Sequence, residues 1–200
     1  MEQIKVSKNP VSSHIISIDI GLDGGIYKNG IAYPMPTTEI ILKAPVMVQA
    51  LDKSGKKIII KSGPNKGQIK MKIKKKAVTK RELDVFKIKD LFESNDRQTI
   101  VLELPGNSIG NSAMSSSTTD RNFGKLLAIA ELSGATVVTV PANVWKKALN
   151  LSKEKIDSIV LAEQLSGVSF RSERNALRDG QAEALLIGYY YSEKIKSNLF

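Results

Sequence analysis

The apolar positions of this chain fall into two regimes. Up to residue 80 they gather in short, β-branched runs. Beyond it, such runs alternate with stretches spaced at i, i+3, i+4 and i+7. HIISIDI (His14–Ile20) reads as a buried strand, followed by a tight GLDGG turn. Ile26 to Tyr33 reads as a strand pair folded at Asn29-Gly30, a dipeptide suited to a two-residue hairpin turn. Gln68 to Lys74 alternates strictly, Ile69, Met71 and Ile73 against Lys70, Lys72 and Lys74, which predicts a half-buried strand with one cationic face. Thr79 is placed to cap a helix from about Lys80 to Glu93, with Val85, Ile88 and Phe92 inward.

QTIVLEL (Gln98–Leu104) is the next buried strand, closed by Pro105. The polar stretch GNSIGNSAMSSSTTD that follows reads as a mobile loop. Asp120 then caps a helix on which Phe123, Leu126, Leu127 and Ala130 share a face, with Gly134 as its stop. ATVVTV is a strand, and Pro141 opens a short helix containing Trp145. Ser152 caps another helix, with Ile156, Ile159 and Val160 inward and Gly167 beyond its end. A last helix runs from about Arg178 to Lys196. Strands alternating with helices predict an α/β fold around a mixed sheet.

Composition narrows the chemistry. The 200 residues suit one domain. There is no cysteine and one histidine, His14, which excludes disulfides, thiol nucleophiles and His/Cys metal centres. No apolar run is long enough to span a bilayer, so a soluble, cytoplasmic protein is expected. The net charge is +10, yet from Lys53 to Arg81 there are twelve basic residues and no acidic one, against 18 basic and 20 acidic elsewhere. A basic segment on a nearly neutral remainder points to a polyanion, most simply nucleic acid. The competing reading is a lysine-rich edge that keeps a hairpin soluble.

Four carboxylates stand out. Asp19 and Glu103 each sit inside an otherwise apolar strand, an expensive place unless paired or bound to a cation. Asp179 and Glu183 lie i, i+4 at the start of the last helix and share a face; the small Ala182 and Ala184 beside Glu183 would let that face approach another element closely. Oxygen donors without histidine suit magnesium or manganese, and two such ions can hold the attacking water and the leaving oxygen of a phosphodiester. With the basic segment, the pattern points to a metal-dependent nuclease.

The ordered set SIDIGLDGG, IVLELPG, WKKALNLSKEK and RDGQAEALLIG resembles the RuvC family of Holliday junction resolvases, particularly phage-type members, in the ribonuclease H-like superfamily. Asp19, Glu103, Asp179 and Glu183 match that family's four acids one by one, over roughly residues 14 to 33 and 80 to 192. The resemblance implies a single ribonuclease H-like nuclease domain over residues 1–200, a mixed β-sheet flanked by helices. It implies a homodimer with two Mg²⁺ (or Mn²⁺) ions per site, nicking symmetric strands of a four-way junction in a bacterial or phage-infected cell. It also implies a lysine assisting at the phosphate: Lys146 or Lys147, with Lys153 or Lys155 following. Residues 45 to 79 match nothing in the compact members and read as an inserted basic β-hairpin. Lys70, Lys72, Lys74, Arg121, Lys125, Lys147 and Lys153 are the candidate DNA contacts. Two rival readings remain: a nucleotide-binding protein of the actin and sugar-kinase type, which shares a glycine-rich first turn but needs two lobes, and a non-catalytic junction-binding protein.

Overall fold

The computed structural model describes residues 2–94, 97–106 and 113–197. They divide into two compact units, Met1–Thr37 with Leu83–Phe200, and Thr38–Glu82. In the first, a six-stranded sheet runs in the order β1 (Ile4–Lys5), β4 (Ile31–Pro34), β3 (Gly25–Lys28), β2 (Ile15–Asp19), β9 (Thr99–Leu104), β10 (Thr136–Pro141). β1 to β4 pair antiparallel, whereas β2, β9 and β10 are parallel, giving the mixed sheet expected. The β3–β4 turn has φ of 50° at Asn29 and 78° at Gly30, the two left-handed residues that an Asn-Gly hairpin supplies.

Period-two alternation sends each strand's side chains to two cores. Ile16 and Ile18 of β2 and Ile100 and Leu102 of β9 pack with Ile88, Phe92, Leu126 and Ala130, from α1 (Val85–Phe92) and α2 (Ala113–Leu132). Ile15 and Val101 face the other way, onto Trp145 of α3 (Ala142–Ala148), Ile159 of α4 (Lys155–Ser166) and Leu185 and Leu186 of α5 (Asp179–Ser197). Asp19 and Glu103 share the parity of Ile15 and Val101, so both belong to the α3–α5 side.

Helix α5 lies on β2 through small residues. Ser17 Oγ donates to the Ala184 carbonyl at 2.6 Å, and Ala182 and Ala184 are fully buried. At its N-terminus Gly180 bridges Gly24. A Cβ on Gly180 would stand 2.3 Å from the Asp23 carbonyl oxygen, and one on Gly25 would stand 2.6 Å from that of Gly180.

Several elements depart from the sequence expectation. The first helix begins at Val85, capped by Asp84, whose side chain accepts from the Lys87 amide. Residues up to Leu83 belong instead to β8 (Val78–Leu83), paired with β5 (Thr37–Lys43). Helix α2 starts at Ala113, so Asp120 is interior rather than a cap, and only residues 107–112 of the expected loop lie outside the described residues. The cap of α4 is Glu154, and Ile156 and Val160 are 40% and 41% exposed rather than inward, with Ile159 alone of the three buried.

The unit Thr38–Glu82 is wider than the 45–79 stretch read from the sequence. It holds a second ribbon, β6 (Val46–Gln49) against β7 (Met71–Lys75), extended by the bridges Leu51–Lys57 and Ile59–Ile69. β7 is exposed throughout rather than half-buried.

The glycine contact makes a stability prediction. Gly180→Ala should lower the stability of the protein by about 1–3 kcal/mol, because backbone on both sides must move. Gly124→Ala, at a helical glycine whose Cβ would meet nothing within 4 Å, should stabilise slightly. Denaturant titration of the two variants checks both signs.

Candidate active site

Parallel pairing of β2 and β9 ends at Ile18 with Leu102. One residue further, each strand presents a carboxylate, Asp19 and Glu103. The glycine-lined approach of α5 brings Asp179 and Glu183 to the same end of the sheet. An open cleft of about 340 Å³ is lined by Asp19, Asp179 and Glu183, the Gly21–Gly24 turn, and Lys146, Lys153 and Lys155. Glu103 is held from behind, its Oε2 accepting from Trp145 Nε1 at 3.3 Å.

The electrostatics follow from this crowding. Desolvation, then the charges of Glu103 and Glu183, push the Asp19 carboxyl up to about 8, although the Gly21 amide opposes the rise. Desolvation and Glu183 raise Glu103 to about 7, against Lys146 and the Trp145 hydrogen bond. The helix acids carry counterions. Lys146 Nζ donates to Glu183 Oε1 at 2.7 Å, and the same oxygen accepts from Ser158 Oγ at 3.0 Å. Lys155 pairs with Asp179, which raises the lysine's own pKa. Lys146 also lies 5.1 Å above the Trp145 ring.

All four sequence-predicted acids therefore come together, with Lys146 and Lys153. Lys147 is exposed on α3, outside the residues lining the cleft. Arg121 is exposed and Lys125 half-buried on α2, and both have partners of their own. Lys70, Lys72 and Lys74 lie exposed in the other unit. Sequence reasoning placed Trp145 only on a short helix and did not single out Ser158. A polar residue at a buried position of α4 is the one signal Ser158 offered.

Among the described residues, no three carboxylates stand close enough to hold a cation as the side chains lie. The donor set nevertheless suits one. Four carboxylates, hard oxygen donors, lie near the same end of the sheet, and two are charged only at the cost of mutual repulsion that a cation would remove.

No protein-family model and no curated protein matches the chain. Among solved structures, the chain is similar to Thermus thermophilus RuvC in complex with a Holliday junction substrate, at 10% identity and a TM-score of 0.49, over 92% of this chain and 95% of that one. It is also similar to a second T. thermophilus RuvC structure, at 12% identity and a TM-score of 0.47, over 92% and 96%. Among the described residues no helix is long and apolar enough to cross a membrane.

The raised carboxyls predict a pH dependence. The folded protein holds protons on Asp19 up to about pH 8 and on Glu103 up to about pH 7, whereas ordinary values are 3.8 and 4.5. The stability they lend is therefore complete below about pH 4 and lost as pH rises to about 8. Without divalent metal, Asp19→Asn should melt higher than the parent at pH 8 by several degrees, on a scale of about 2–4 °C per kcal/mol. The gap should close at pH 4. Thermal melts in EDTA at both pH values check it.

Proposed function

We propose that this chain is a metal-dependent, structure-selective endonuclease that cuts branched DNA, four-way junctions first. The observation that carries the reading is that Asp19, Asp179 and Glu183 line one cleft together with three lysines, with Glu103 near enough for its charge to raise the Asp19 carboxyl. The four carboxylates would hold Mg²⁺, or Mn²⁺, as two ions. Bound there, the metal supplies charge neutralisation and an activated water for phosphodiester hydrolysis. Trp145 Nε1–H and Ser158 Oγ–H orient Glu103 and Glu183 as ligands. Lys146 and Lys155, displaced from their carboxylates, are then available to a phosphate, with Lys153 at the rim of the same cleft. Paired symmetric nicks call for two copies related by a two-fold axis, matching the near symmetry of a junction.

One observation favours a second reading. Lys146 and Lys155 already neutralise Glu183 and Asp179, so the acids would serve only the fold of a non-catalytic junction binder. Incubation of labelled four-way junction and matched linear duplex, with and without Mg²⁺, separates the two. Symmetric nicks on the junction alone, lost in Asp19→Asn with junction binding retained, are the expected result. Cutting by Asp19→Asn at the parent rate removes the mechanism, and binding without cleavage under any divalent metal favours the second reading.

The basic unit is proposed to bind phosphates without reading bases. Each phosphate neutralised adds about 0.9 to the slope of log K against log salt. Replacing Lys70, Lys72 and Lys74 with Gln should weaken binding to junctions of any sequence and flatten that slope by up to about 2.7. If the lysines only protect an exposed edge, a salt titration will show unchanged affinity and slope with poorer solubility.

A further inference from the structure

The β6–β7 ribbon has two chemically distinct faces. Residues opposite one another across a ladder point to the same side. Met47 lies opposite Ile73 and Gln49 opposite Met71, whereas Val48 lies opposite Lys72 on the other side, the side to which period two also sends Lys70 and Lys74; the register shifts between Val46 and Met47, so Lys74 has no partner in the ladder and Val46, 44% exposed, lies opposite Lys75. Met47 and Met71 are each 46% exposed and Ile73 is 60% exposed. Single exposed apolar residues are ordinary. Here three of them are grouped on one side of one two-stranded ribbon.

The charge of the unit says what this face meets. Thr38–Glu82 holds thirteen basic and three acidic residues, which is the whole +10 of the chain. Two such ribbons stacked apolar face to apolar face would bring like charges within a Debye length, about 8 Å at physiological salt. The complementary surface is polyanionic and also apolar in part, and nucleic-acid bases unstacked from their neighbours are both. Unbranched aliphatic and β-branched side chains, Met and Ile among them, are suited to insertion between base steps. A linear duplex offers phosphates to the lysine face and keeps its base faces stacked. A branch point offers base faces where stacking is interrupted, and phosphates of another arm close by.

We infer that the Met47–Met71–Ile73 face of the ribbon inserts against unstacked bases at a DNA branch point while Lys70, Lys72 and Lys74 hold backbone phosphates. The inference rests on the reading of the protein as one that acts on branched DNA. It makes the ribbon the element that distinguishes branched from linear DNA, independently of the carboxylates.

The test uses the full chain in EDTA, with a four-way junction and a matched duplex carrying 2-aminopurine at and away from the branch point. The parent protein should raise branch-point fluorescence on the junction only. Met71→Ser with Ile73→Ser should abolish that rise and cut the preference for junction over duplex by about tenfold, leaving the salt slope in place. Met71→Leu with Ile73→Leu, which keeps an apolar surface, should restore both. An undiminished rise and preference in the serine variant overturns the inference, as does a serine variant that merely turns a sedimenting dimer into a monomer, since the face then belongs to a second copy. A parent protein that unstacks the branch point yet cuts nothing in Mg²⁺ upholds the inference while the nuclease reading fails. Normal cleavage with no fluorescence change at the branch point does the reverse.

Discussion

The site depends on how closely α5 can approach the end of β2. Gly24, Gly25 and Gly180 meet backbone to backbone, at separations where a Cβ would lie 2.2 to 2.9 Å from main-chain atoms. Further along, Gly188 faces Ser17 and the Ser17 hydroxyl reaches the Ala184 carbonyl. This stripe without bulky side chains sets both the height and the rotation of the helix. Asp179 and Glu183 follow, since i, i+4 positions must face the same way. With larger residues in the stripe the helix would stand off, and the acids it carries would no longer meet those of the strands.

That approach has an electrostatic consequence. It gathers four partly buried carboxylates, and the fold leaves Asp19 and Glu103, the two most desolvated, with raised proton affinity instead of separating them. Lys146 and Lys155 balance the two acids nearer solvent. The two strand acids are balanced only in part, by the Gly21 amide for one and by Lys146 and Trp145 for the other. Local unfavourable terms of this kind persist where surrounding packing over-determines the geometry, and here Trp145, Ile159 and Leu185 are buried in the core on that side of the sheet.

Much of this was legible in the sequence because it follows from period and parity. An acid inside IISID or TIVLEL is conspicuous, and alternation along a strand puts it on the same side as residues two positions back. The helical acids were legible from spacing alone. What sequence reasoning missed depends on partners distant in the chain. Lys155 and Lys146 reach Asp179 and Glu183 from other helices, and nothing in WKKALNLSKEK distinguishes the lysine that will pair. The alternation of Gln68–Lys74 reads as half-buried because period two usually means one covered face. β7 belongs to a two-stranded ribbon and is exposed on both faces. Helix α1 begins later than Thr79 suggests because the Val78–Leu83 segment pairs with β5, a tertiary choice, and Asp84, a capping residue at least as favourable as Thr79, starts the helix there.

The two units also divide the electrostatics. Removing Thr38–Glu82 from the count leaves seventeen basic and seventeen acidic residues, so the unit bearing the carboxylate cleft has no net charge. Long-range attraction to any polyanion would thus reside in exposed lysines, which salt screens over about 8–10 Å. The cleft acts at short range among partly desolvated groups, which salt screens far less and pH governs instead. On the proposed function, capture and chemistry would therefore answer to different solution variables. Salt should move affinity with little effect on the cleft, and pH should move the charge of the cleft with little effect on a lysine ribbon.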